Sequence, residues 1–177
     1  MPRKTEYVPF GYEPPTPATK GTLILYDPFE QVQELVERAV QTKQKRAFAK
    51  LVLYPLHEET VKRMFKVPVS PFYKREQELQ EWLDESGASS VVVESFEAKR
   101  KKYTPMDTAL RHLVEKYSGP HFVLLTPEFA NAFASYSSFE EWIVRLRLIL
   151  ASEPKHPHPR LDKFRHRWEI LETGSEP

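Results

Sequence analysis

Tyr103-Thr104-Pro105-Met106-Asp107-Thr108-Ala109-Leu110 opens the stretch that decides the fold. It continues through Gly119-Pro120, His121-Phe122-Val123-Leu124-Leu125-Thr126 and Pro127-Glu128, and on past Trp142. Met106, Ala109, Leu110, Leu113, Val114 and Tyr117 recur at helical spacing. That spacing makes one apolar stripe, the pattern of a helix lying on a sheet. Gly119 and Pro120 stop it. Phe122 to Leu125 is then a continuous apolar run, as in a strand covered on both faces. Pro127-Glu128 opens a second helix expected to run past Trp142, and Ser138 with Glu141 has capping-box spacing. The stretch reads as a helix–strand–helix piece of an α/β sheet.

The same alternation extends outward. Toward the N-terminus, Thr22 to Tyr26 reads as the first strand. Asp27-Pro28-Phe29-Glu30 then suits a helix start, with Asp27 as N-cap, Pro28 at the first helical position and Glu30 completing a capping pair. Val32, Leu35, Val36, Ala39 and Val40 form the buried stripe of that helix. Leu51 to Pro55 is a second strand, Glu58 to Phe65 a short helix, and Phe72 to Glu85 a longer one. Ser90 to Glu94 is a third strand, followed by the basic run Lys99-Arg100-Lys101-Lys102. Arg147 to Ala151 is a fifth. Residues 155–177 read as a basic loop and helix, with Leu161, Phe164, Trp168 and Leu171 as its apolar positions. His156, His158 and His166 lack the carboxylate or Cys pattern that would complete a metal site, so no metal is expected.

The chain has 177 residues, a net charge of +1 and no cysteine. The length suits one domain with a real core. The near-neutral charge offers no global field for nucleic acid or an anionic membrane surface. The lack of cysteine excludes disulfides, thiolate metal sites and a Cys nucleophile. No apolar run approaches a membrane span and no signal core opens the chain, so a cytoplasmic protein is expected. Residues 1–20 hold five prolines between Tyr7, Phe10 and Tyr12 and read as an extended arm. Glycine numbers only 5, few for a backbone cradle around phosphate.

From Gly21 to Pro154 the sequence resembles the nicotinate-nucleotide adenylyltransferases of the HxGH-type nucleotidylyltransferase superfamily. That family reads Gly-Gly-Thr-Phe-Asp-Pro-x-His-x-Gly-His after its first strand. Here the line is Leu23-Ile24-Leu25-Tyr26-Asp27-Pro28-Phe29-Glu30-Gln31-Val32-Gln33. Asp27-Pro28 is kept, Glu30 and Gln33 stand in the two histidine positions, and Val32 stands for the glycine between them. The family's Tyr-Thr-x-Asp-Thr-Leu segment corresponds to Tyr103-Thr104 with Asp107 and one extra residue, or its Tyr-Thr pair falls on Thr104-Pro105. Its Gly-Ala-Asp turn corresponds to Thr126-Pro127-Glu128, and its Trp to Tyr136.

The resemblance implies roles. Tyr103 and Thr104 would meet the pyridine substituent, with Asp107 at the helix start. Asp27, Thr126 and Glu128 would line the nucleotide, and Tyr136 would stack on the ring. On the residues alone, Asp107 reads equally as a first-turn acid and Tyr136 as a ring at the core edge. The phosphate side departs further. Adenylyl transfer needs donors aimed at the oxygens in flight. Glu30 brings negative charge there, and Gln33 brings no positive charge. Glu153-Pro154 replaces the family's Arg-Pro, and its Ser-Ser/Thr-x-x-Arg motif does not appear. Arg75 falls where the family often has an Arg, but a solvated position on a charged face is expected.

The expected fold is therefore a single Rossmann-like three-layer α/β domain over residues 21–177. It has a five-stranded parallel sheet in order 3-2-1-4-5, with helices on both faces. The leading functional reading is a divergent nucleotidylyltransferase-like protein without adenylyl transfer. It would bind a pyridine or other nucleotide, or serve as an interaction platform for a protein partner. An active enzyme would need Mg²⁺ and substitute donors from Lys99–Lys102, Arg75 or the C-terminal region. A protein- or RNA-binding adaptor is the third reading, with Phe29, Glu30 and Tyr136 filling the crevice.

Overall fold

The computed structural model describes residues 21–30 and 33–171, and of Gln33 only the backbone. The proline-rich arm and Val32 lie outside the described residues, as does the Gln33 side chain. Among the described residues six strands form one parallel sheet: β1 (Thr22–Asp27), β2 (Lys50–Pro55), β3 (Val91–Val93), β4 (His121–Leu125), β5 (Arg147–Leu150) and β6 (Trp168–Ile170). Their order is β3-β2-β1-β4-β5-β6. Eight α-helices occur among the described residues: α1 (Gln33–Lys45), α2 (Glu58–Phe65), α3 (Phe72–Ser86), α4 (Phe96–Arg100), α5 (Met106–Lys116), α6 (Pro127–Ala134), α7 (Phe139–Ile143) and α8 (Pro159–Lys163).

Alternation along the strands feeds two cores, one on each face of the sheet. Ile24 and Tyr26 of β1 point to one face, where Val61 of α2, Leu110 of α5, Phe133 of α6 and Trp142 of α7 pack. Leu23 and Leu25 point to the other, against Val36 of α1 and Leu79 of α3. The fold is Rossmann-like, and the carboxyl ends of β1, β2 and β4 share one edge.

Several sequence expectations are corrected. The sheet has six strands rather than five. The helix expected through Trp168 stops at Lys163, passes a 3-10 turn at Arg165–Arg167 and becomes β6. Helical spacing of the apolar residues loses here to the backbone demand of β5. As the last strand it would leave one edge open, and Leu148, Ile149 and Leu150 pair with Trp168, Glu169 and Ile170. The first helix begins at Gln33, not at Pro28. The Asp27 carboxylate accepts the N–H of Phe29 at 2.8 Å, and Phe29 takes a left-handed φ of 63°. That Asx turn swings the chain away before any helix starts, so Asp27 and Glu30 form no capping box.

The helix expected to run past Trp142 is two helices, broken after Ala134. Ser135 competes for the helical bonding by donating its hydroxyl to Ala132 O at 2.6 Å. Ser138 precedes α7 but makes no side-chain cap bond. α4, which ends on the first two residues of the basic run, was not visible in the sequence.

Candidate functional site

The crevice of this fold lies at the carboxyl edge of the strands. On its β1 side Phe29 is buried with 1% exposure, packed into the core with Leu23 and Leu25. Glu30 points out and accepts from the N–H (3.1 Å) and hydroxyl (2.8 Å) of Ser70. Beneath this turn sits Arg75, only 1% exposed, which corrects the expected solvated position. Its guanidinium donates to Pro28 O at 2.6 Å, Leu56 O at 2.7 Å and Ser70 O at 2.7 Å, and meets Glu58 at 3.4 Å. Carbonyls left by the ends of β1 and β2 thus receive their donors from one side chain.

Beside it, aromatic rings close the floor. Tyr26 stacks on Tyr54 at 5.4 Å and meets Phe129 edge-on at 5.9 Å. Phe65 packs on Phe129 at 4.7 Å. Burial pushes the Tyr26 and Tyr54 phenols well above their ordinary range.

The base side is arranged differently. Tyr103 is half-buried and its ring carries the Arg63 guanidinium at 4.4 Å. Thr104 is fully buried: its N–H donates to Thr60 Oγ1 at 3.0 Å, and its hydroxyl accepts from Arg100 at 2.9 Å. Asp107 lies in the first turn of α5 and accepts from the Trp142 indole at 2.7 Å and from Arg111 at 2.6 Å. Those donors, the indole foremost, hold its carboxyl below the usual range. Thr126 caps α6 through the Phe129 N–H. Tyr136 is half-buried against the core, and its phenol is pushed up by burial and by neighbouring Tyr103. Glu128 is exposed, beside Asn131 and the 152–156 loop in a cavity of about 310 Å³.

Sequence reasoning missed two features. The first is Glu97, a fully buried carboxylate accepting from Tyr54 OH, the His57 N–H and Thr60 Oγ1, each at 2.8 Å. Burial lifts its pKa to about 7 despite those donors, and burial likewise lifts Asp27 to about 6. The second is a cleft of about 470 Å³ between α2 and Tyr103, lined by Glu59, Lys62, Arg63 and Lys66. Among the described residues no acid pairs with those three cations. Only the i, i+4 spacing of Lys62 and Lys66 hinted that they share a face.

The basic run contributes little inward. Arg100 turns to Thr104 and to the Phe96 ring, while Lys99, Lys101 and Lys102 are exposed. His158 caps α8 by accepting the Arg160 N–H. Among the described residues no three His, Cys, Asp or Glu side chains converge on a metal position. Asp27, the acid ending β1, is bonded to its own turn with its carboxyl pulled toward the neutral form, and fits Mg²⁺ poorly.

No family model matches the sequence, and no curated protein matches it. Solved structures share the fold. One is the nicotinic acid mononucleotide adenylyltransferase of Plasmodium falciparum, in complex with NaAD. It has a TM-score of 0.67 at 12% identity, over 89% of this chain and 77% of that one. Another is a Vibrio parahaemolyticus protein assigned as a nicotinate-nucleotide adenylyltransferase, with a TM-score of 0.55 at 14% identity, over 82% and 85%. The chain therefore shares the fold of these two proteins. Among the described residues no helix is long and apolar enough to cross a membrane.

Proposed function

We propose that this protein binds a nucleotide, with a pyridine mononucleotide as the leading ligand, and does not transfer an adenylyl group. The observation that carries the reading is the state of Arg75. A guanidinium at the phosphate side of the crevice would be the natural donor to a phosphoryl oxygen. Here it is buried under three carbonyls. Glu30 stands at the first histidine position with its negative charge, bonded to Ser70. Among the described residues of that turn, transition-state charge on a phosphoryl group would find no compensating cation.

The base side supports binding. The Tyr103 ring borders a cleft whose other walls carry Lys62, Arg63 and Lys66. A flat ring beside three cations suits a ligand with an aromatic base and one phosphate. A second reading, an interaction platform with no small ligand, is favoured by the engagement of Thr104 and Asp107 in the protein's own hydrogen bonds.

Thermal melts with millimolar nicotinate mononucleotide, ATP with Mg²⁺, and the dinucleotide separate the readings. A ligand at 100 times its Kd stabilises the native state by about 2.7 kcal/mol. The expected result is a shift with the mononucleotide, none with ATP, and its loss in Lys62→Glu/Lys66→Glu. A shift with ATP and turnover to dinucleotide would establish the active enzyme instead. No shift with any of them would leave the platform.

A further inference from the structure

We propose a second ligand site, away from the crevice, that takes a small organic carboxylate with an apolar body. It is a cavity of about 350 Å³ between the outer half of α1 and the β5–β6 edge. That size falls within the range of small-molecule sites. Its floor is apolar, formed by Ile149, Ile170 and Leu171 where β5 and β6 end. Its wall is α1, which contributes Arg38, Gln41, Thr42 and Lys45, with Arg46 just past the helix end.

The polar groups fix the sign of the ligand. Among the described residues Glu169 is the one acid of the lining. Its carboxylate is bonded on both sides, by Arg46 and by Arg147, each at 3.0 Å. Its charge is therefore compensated twice over within the protein. Arg46 is also held over the Phe48 and Phe122 rings at 5.6 and 5.2 Å, which fixes it in place without a ligand. Arg38 is half-buried and donates through one terminal nitrogen to Ala151 O at 3.0 Å. That bond orients the guanidinium and leaves the rest of its fork for an acceptor. Thr42, buried, donates to Arg38 O one helical turn back.

A fork of N–H donors matches a carboxylate, and a floor of branched aliphatic side chains matches a hydrocarbon body. Among the described residues no aromatic ring lines the cavity, so none of them would stack a base there. This distinguishes its ligand from the nucleotide of the crevice.

The test is titration of the full-length chain with octanoate, followed by calorimetry and by methyl NMR of Ile149, Ile170 and Leu171. Octanoate is expected to bind and to move those methyl signals. Loss of the charge-assisted contacts in Arg38→Met should weaken it about tenfold. Gln41→Glu, an exposed helical substitution that leaves the fold intact, should weaken it by about fivefold or more through like charge at the rim. Inorganic phosphate and 1-octanol, lacking the body or the charge, should each bind at least about tenfold more weakly. Absence of octanoate binding would overturn the proposal. So would binding that neither substitution alters, methyl shifts elsewhere in the chain, or equal affinity for phosphate or 1-octanol.

Discussion

Arg75 joins the ends of β1 and β2 to the loop before α3, and its worth to the fold can be measured. Replacing it with Met keeps the stem but leaves Pro28 O, Leu56 O and Ser70 O without their donor. Breaking such a buried network should destabilise the protein by on the order of 3–5 kcal/mol. Lys should rescue little, because a single ammonium cannot reproduce the planar fork. Urea unfolding of both variants reads this directly, and a loss below about 1 kcal/mol would contradict the role assigned to Arg75. Glu97 gives a pH-dependent prediction. Its native pKa of about 7 lies above the ordinary glutamate value of 4.5, so the folded state holds the proton more tightly. The associated stability is complete below about pH 4.5 and is lost as pH rises through 7. It amounts to on the order of 3 kcal/mol. Asp27 has the same sign, lost between about pH 4 and 6. Glu97→Gln should match the native chain in acid and exceed its stability at pH 8. Parallel stability–pH curves for the two proteins would remove Glu97 as the source.

At the scale of elements, α5 and α7 are tied by one bond, from the Trp142 indole to Asp107. Trp142→Phe keeps a ring in the core and deletes that donor. It should cost about 1–2 kcal/mol and let the Asp107 carboxyl, held low mainly by the indole, titrate at higher pH. A carboxyl ¹³C titration that leaves the Asp107 midpoint unmoved would refute the link. This pair also shows what the sequence could say. The apolar stripe from Met106 to Leu113 made α5 legible, and Asp107 was readable as a first-turn acid. Its partner 35 positions away was not, because no local pattern encodes a contact between separate elements. The same limit hid Arg75 and Glu97. A charged residue on an amphipathic helix reads as solvated until the carbonyls or phenols around it are assembled by the fold. Errors at α1 and β6 had another origin. Apolar spacing was right in each, but the Asp27 turn and the pairing demand of β5 outweighed helical periodicity.

For the whole molecule, β6 matters more than its length suggests. Trp168 is 2% exposed and lies in the core shared by Trp142 and Phe133, and its indole donates to Leu161 O at 2.8 Å. Leu171, one residue past the strand, packs into the core on the opposite face. A three-residue strand therefore seals both layers at one edge of the sheet and covers the backbone of β5. Trp168→Ala should cost about 3–5 kcal/mol, whereas Tyr73→Ala, at a side chain 72% exposed, should stay within about 0.5 kcal/mol. A chain ending at Phe164 would lose more than the tryptophan alone. Leu148, Ile149 and Leu150 would become an open edge, available to pair with another copy. The expected outcome is a broadened, less cooperative melt and concentration-dependent self-association by light scattering. A truncated chain that stays monomeric and melts as sharply as the intact one would show instead that the other five strands carry the fold alone.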